Sequence, residues 1–151
     1  MSTILVPVDF SDRSGRLLAT AEETARTRNA SLHLLHVVEP ALSTSGLGMD
    51  PPVPLEITPN PGMEEKIESE LLDKMTADVS ARGIPCTSAV KFGLPVDETL
   101  ATVADIGANL IVLGSHGRGA LYHLFTGSVV TGVLRRTDCP VLVVPLRQNK
   151  T

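Results

Sequence analysis

The chain reads as an α/β protein, an open five-stranded parallel sheet with helices on both faces, and three observations point to it. Five short apolar runs alternate with four helical patterns, the order that carries crossover helices between parallel strands. The first run, residues 4–8 (Ile-Leu-Val-Pro-Val), is almost continuously apolar, as expected of a strand covered on both faces. At 151 residues the chain suits one domain, which can bury roughly two thirds of its unfolded surface without staples.

Taken in order, the first strand is followed by Leu17, Leu18, Ala21 and Ala25 at helical spacing, behind Ser11 as a plausible N-cap. Residues 32–38 form the second strand. Residues 39–62 hold six prolines and three glycines without periodicity, so they read as a long loop whose order composition does not decide. Met63, Ile67, Leu71, Met75 and Val79 mark a second helix, ended by Gly83. The third strand, residues 84–91, is more polar than the others and belongs at an edge. Val96, Leu100, Val103 and Ala104 line a third helix with Pro95 in its first turn. Residues 109–113 are the fourth strand, Val129, Val130, Val133 and Leu134 the inner stripe of a last helix, and residues 140–145 the fifth strand. The domain is expected over 1–146, with 147–151 a frayed tail.

Composition narrows the function classes. Thirteen basic against seventeen acidic residues, one Tyr, three Phe and no Trp offer little to a nucleic acid backbone or its bases. No apolar stretch approaches membrane-spanning length and no basic leader opens the chain, so a cytoplasmic protein without membrane attachment is expected. Cys86 and Cys139 are too far apart in sequence for a zinc motif and read as small core or near-surface thiols. His33 and His36 fall on opposite faces of a strand, and His123 stands alone, so no metal is assigned to them.

The chemistry gathers around residues 114–128. Gly114, Gly117, Gly127 and Ser128 lie between an apolar strand and an amphipathic helix. Glycine lets backbone approach an anion closely, and the amides of Ser128, Val129 and Val130 at a helix start supply donors and partial positive charge. The plainer reading is that these glycines only shape turns. His116 and Arg118 alternate with the glycines, either reaching phosphate or simply exposed in a loop. Asp9 follows the first strand and Gly114 the fourth, so if those strands are neighbours the two face one crevice. Asp9 would then handle a ribose hydroxyl or magnesium; its alternative role is to cap the first helix. No Lys follows Gly127-Ser128, so the Walker pattern is missing and efficient phosphoryl transfer is not indicated. No Gly-x-Ser-x-Gly elbow is present, which argues against a hydrolase.

Gly114-x2-Gly117-x9-Gly127-Ser128, with Val-Pro-Val-Asp9 near the start, Leu-His-Val37 in the second strand and Cys-Pro-Val-Leu-Val-Val-Pro at the end, resembles the ATP-binding branch of the universal stress protein family. The resemblance spans nearly the whole chain. It implies strand order 3-2-1-4-5, with strands one and four side by side. It implies that Pro7, Val8 and Asp9 border adenine and ribose, with Val37 offering backbone to the adenine edge. Gly114, His116, Gly117 and Arg118 would surround ribose and phosphates, and Gly127, Ser128 and Val129 would hold the phosphate tail. Val130 stands where many relatives carry a hydroxyl residue, with Thr131 one later. The implied ligand is ATP, ADP or AMP, and the reading of Asp9 as a ribose or magnesium contact, made above from its position, goes with it. The implied assembly is a homodimer through the strand at 140–145, an apolar edge that otherwise invites pairing. A nucleotide-responsive stress regulator with an unidentified downstream protein is the leading expectation. The alternatives are a weak ATPase and a nucleotide-free interaction protein. A receiver domain is set aside because strand three ends in Lys91-Phe-Gly without an acceptor aspartate.

Overall fold

The computed structural model describes residues 1–11, 14–39, 61–115 and 128–146. Its elements alternate as β1 (Ser2–Pro7), α1 (Ser14–Arg28), β2 (Ala30–Val38), α2 (Pro61–Ala81), β3 (Cys86–Phe92), α3 (Pro95–Ile106), β4 (Leu110–Gly114), α4 (Ser128–Arg136) and β5 (Val141–Val144). The five strands pair in parallel in the order β3-β2-β1-β4-β5, as the family resemblance implied. Most expected elements fall within two residues of their observed bounds. The long loop expected after β2 lies, over residues 40–60, outside the described residues.

Alternation along the strands sends residues to two layers. Ile4, Val6, Leu32, Leu34, Leu110 and Val112 face α1 and α2 and meet Leu17, Ala21, Leu72 and Val79 there. Ile111 and Leu113 face the other way, against Val133 of α4 and Val96, Leu100 and Val103 of α3. Leu5, Val6, Leu35, Ile111 and Val112 are wholly buried, which is why these strands carry no polar alternation. The polar β3 takes one edge and β5 the other.

Three helices correct the simple stripes. In α2, Val79 is buried and Met75 half-buried, but Leu71, Ile67 and Met63 are increasingly exposed. A strict four-residue repeat outruns the 3.6-residue turn, so the stripe winds off the sheet and Leu72 takes the inner position. In α3, Ala104 is exposed, whereas Thr99 and Thr102 are buried. Burial is tolerated because Thr99 Oγ1 donates to the Pro95 carbonyl (2.6 Å) and Thr102 Oγ1 to that of Glu98 (2.7 Å). Pro95 opens α3, and Gly107 closes it with a left-handed φ of 62°. In α4, Leu134 is exposed rather than inward, and Val133 is the buried residue.

Helices α3 and α4 approach closely at Gly132, where a Cβ would lie 2.7 Å from Cγ2 of Val96. Valine is stiff at χ1 and cannot readily yield. Gly132→Ala is therefore expected to destabilise the fold by about 1 kcal/mol or more, although alanine is the better helix former. Chemical denaturation checks this, and adding Val96→Ala should return less than the sum of the two single losses.

His33 lies beside Thr87, Nδ1 and Oγ1 being 2.8 Å apart. Burial, and secondarily the charge of Lys91, hold its imidazole below the usual histidine range. A lowered folded-state value means the neutral ring is favoured, so its contribution to stability is present above about pH 6.5 and is lost as pH falls. His33→Gln is expected to lose less melting temperature than the wild type between about pH 6.5 and 5. Melting curves across that range check it.

Candidate ligand crevice

Chain direction changes at the centre of the sheet. From β1 the chain passes to α1 on one face, and from β4 to α4 on the opposite face, while β1 and β4 pair through Ile4 with Leu110 and Leu5 with Ile111. In sheets of this kind, where adjacent strands are followed by helices on opposite faces, a ligand crevice is expected beyond the carboxyl ends. Pro7, Val8 and Asp9 stand at that end of β1, Val37 at that end of β2, and Gly114 ends β4. Ser128, Val129 and Val130 open α4. The structure thus brings these eight expected residues to one end of the sheet; His116, Gly117, Arg118 and Gly127 lie outside the described residues.

Each described residue is held by its own backbone logic. Pro7 is the last residue of β1, where its missing N–H leaves the ladder least affected. The Val8 N–H donates to the Leu35 carbonyl (2.8 Å), extending the contact with β2 by one residue. Asp9 Oδ1 accepts from the Ser11 N–H (3.0 Å) and from the Ser14 hydroxyl (3.4 Å), so this carboxylate shapes the turn that starts α1. Asp9 thus braces the approach to α1 through Oδ1, by an Asx-type contact to Ser11 and a side-chain contact to Ser14, neither of them to a backbone N–H of the helix. Val129 and Val130 pack half-buried against the core of Ile111, Leu113 and Val133, which leaves their amides as their polar offering to the crevice.

Four neighbours were not named as site residues from sequence. Phe10 adopts a left-handed φ of 58°, unfavourable for a bulky residue by roughly 1–2 kcal/mol. Its ring compensates by packing into the core cluster and against the His36 ring, with centroids 4.5 Å apart. His36 is buried; its Nδ1 lies 2.9 Å from the Val8 carbonyl and its Nε2 3.2 Å from Glu68 Oε2 of α2. Ser115 donates its N–H to the Val144 carbonyl and accepts the Leu146 N–H at Oγ (3.0 Å), tying the end of β4 to β5. No local pattern marks Phe10 or Glu68. The polar His36 within an apolar strand was a visible signal, and its partners, 28 and 32 positions away, were not.

The remaining reactive side chains sit elsewhere. Burial, with the Glu22 charge adding to it, pushes the Cys86 thiol up to about 11, and burial raises that of Cys139. Both are free and protonated, poorly suited to act as nucleophiles. Among the described residues no three His, Cys, Asp or Glu side chains converge as a metal cage, and no helix is long and apolar enough to cross a membrane.

The family model described as "Universal stress protein family" matches residues 1–145. Universal stress protein YxiE of Bacillus subtilis is 32% identical over 143 residues, covering 93% of this chain and 97% of its own length. Two solved structures share the fold: a universal stress protein in complex with cAMP, and one from Archaeoglobus fulgidus in complex with dAMP. The first has a TM-score of 0.69 at 24% identity, covering 97% of this chain and 98% of that one. The second has a TM-score of 0.64 at 23% identity, covering 95% and 97%. With the family model spanning nearly the whole chain and a relative matching end to end, the chain belongs to the universal stress protein family.

Proposed function

We propose that this chain is an adenine-nucleotide-binding regulator of the ATP-binding kind, which reports ligand occupancy rather than turning the ligand over. The observation that carries the reading is that β1 and β4 are neighbours whose following helices lie on opposite faces, an arrangement that would put Asp9 and Gly114 at the lips of one crevice. The amides at the start of α4 complete a phosphate-sized cradle in this reading, with Gly117 and Gly127 allowing close backbone approach. Pro7, Val8 and Val37 would flank the base, and Asp9, with Oδ1 engaged at α1, would present its other oxygen to a ribose hydroxyl. His116 and Arg118 would approach the phosphates. The complexes of related proteins with cAMP and dAMP support an adenine nucleotide as the class of ligand.

Hydrolysis is slow or absent in this reading, because the sequence has no Walker lysine and no convincing general base near Gly127-Ser128. The proposal includes a cytoplasmic homodimer through residues 140–145, supported by the edge position of β5 and the exposure of Leu142.

Calorimetric titration of the purified protein with ATP, ADP and AMP is expected to give micromolar binding, about −8 kcal/mol. Gly127→Leu should weaken it more than about tenfold while the melting temperature of the free protein stays unchanged. Absence of binding at millimolar nucleotide would end the reading, and phosphate release at about 1 per second or faster would end its non-catalytic part. For the dimer, Leu142→Glu sets like charges at a two-fold contact, and sedimentation should show a monomer where the wild type sediments as a dimer.

A further inference from the structure

We propose that Phe10 is a positioning residue for ribose recognition: its ring, clamped between the core and His36, imposes the backbone turn that aims the Asp9 carboxylate. Phe10 thereby governs how well the crevice distinguishes a ribose from a sugar without hydroxyls. The role in recognition rests on the nucleotide reading; the clamp itself does not. Phe10 has a left-handed φ of 58°. Glycine or asparagine would take that conformation at far less cost, whereas a bulky residue holds it only where its surroundings leave no other choice. Here the side chain supplies the reason. The Phe10 ring packs against the core cluster that holds Val6 and Val8 and meets the His36 ring, with centroids 4.5 Å apart and planes inclined by 45°.

His36 is itself fixed. It is buried in β2, with Nδ1 2.9 Å from the Val8 carbonyl oxygen and Nε2 3.2 Å from Glu68 Oε2 of α2. The residues on either side of Asp9 are therefore tied to one ring, Val8 by its carbonyl and Phe10 by its side chain. Asp9 has little freedom between them. Its Oδ1 accepts from the Ser11 N–H (3.0 Å) and from the Ser14 hydroxyl (3.4 Å), and the first contact needs the chain to turn back within two residues, as the left-handed Phe10 makes it do. With the backbone held on both sides and one carboxylate oxygen engaged, the direction of Oδ2 is set, and no described residue bonds to it. A carboxylate oxygen accepting from a hydroxyl makes a charge-assisted bond whose strength depends on its aim. Losing the clamp frees Asp9 to turn and weakens that bond, while contacts to base and phosphate stay as they were.

Phe10→Gly keeps the left-handed conformation accessible and removes the ring, so it separates the clamp from the turn. The readout is the ratio of affinities for AMP and for its dideoxy analogue, which lacks both ribose hydroxyls, measured by calorimetry on the wild type, Phe10→Gly, Asp9→Ala and the double variant. The wild type should prefer AMP on the order of tenfold, the worth of one charge-assisted hydrogen bond. Phe10→Gly should lower that preference about threefold or more, with affinity for the dideoxy nucleotide little changed. Phe10→Tyr, which keeps the ring, should keep the preference, and Phe10→Leu takes the place of the glycine variant if that one does not fold. In the Asp9→Ala background Phe10→Gly should change the ratio no further, because no carboxylate is left to aim. An equal loss for both nucleotides in Phe10→Gly would overturn the positioning role, as would a fall in the ratio that persists without the Asp9 carboxylate. A wild type that binds both nucleotides equally would overturn the ribose contact of Asp9 and this inference with it, while the nucleotide reading stands. A wild type that binds neither would overturn both.

Discussion

Strand β1 is enclosed on every side: β2 and β4 occupy both of its hydrogen-bonding edges, and Ile4, Leu5 and Val6 are buried on both of its faces. Enclosure of this kind requires an apolar strand with no side chain to spare for chemistry, and it forces whatever chemistry exists out to the strand's carboxyl end. Because β1 also sits where strand order reverses, the helices that follow β1 and β4 lie on opposite faces. The buried strand and the ligand crevice proposed at its carboxyl end follow from one packing constraint. Pro7 marks the boundary between them, closing the ladder where the backbone must begin to serve something else.

Beyond Pro7 the chain departs from regular structure residue by residue. Val8 still bonds to β2, Asp9 turns its carboxylate toward α1, and Phe10 takes a left-handed conformation. A strained residue persists only where its surroundings over-determine it, and here the core cluster and the His36 ring supply that restraint. The crevice lip is therefore set by long-range packing from β2 and α2 as well as by its own sequence.

Much of this was legible in the residues. Apolar runs such as residues 109–113 admit one interpretation because a strand covered on both faces needs no polar alternation. The edge position of β3 showed in its polarity. Strand order was different: it came from resemblance to a family, since periodicity does not say which strands are neighbours. Stripes on helices were legible only in part. The repeat Met63, Ile67, Leu71 reads as an inner face, but its period carries it off the sheet, and Thr99 and Thr102 hide inside α3 by bonding to their own helix. At the crevice, glycine, aspartate and proline positions could be read because each has a local backbone meaning. His36 and Glu68 could not be paired, because 32 residues separate them and contact depends on how α2 lies on the sheet.

The most direct test of the crevice is an amide NMR titration of the isotope-labelled protein with unlabelled AMP. The expected result is a set of concentration-dependent shifts at Val8, Asp9, Val37, Gly114 and the amides of Ser128 to Val130, with Cys86, Leu110 and Val141 at the opposite ends of their strands unmoved. Shifts centred on those opposite ends, or on the outer face of α2, would contradict it.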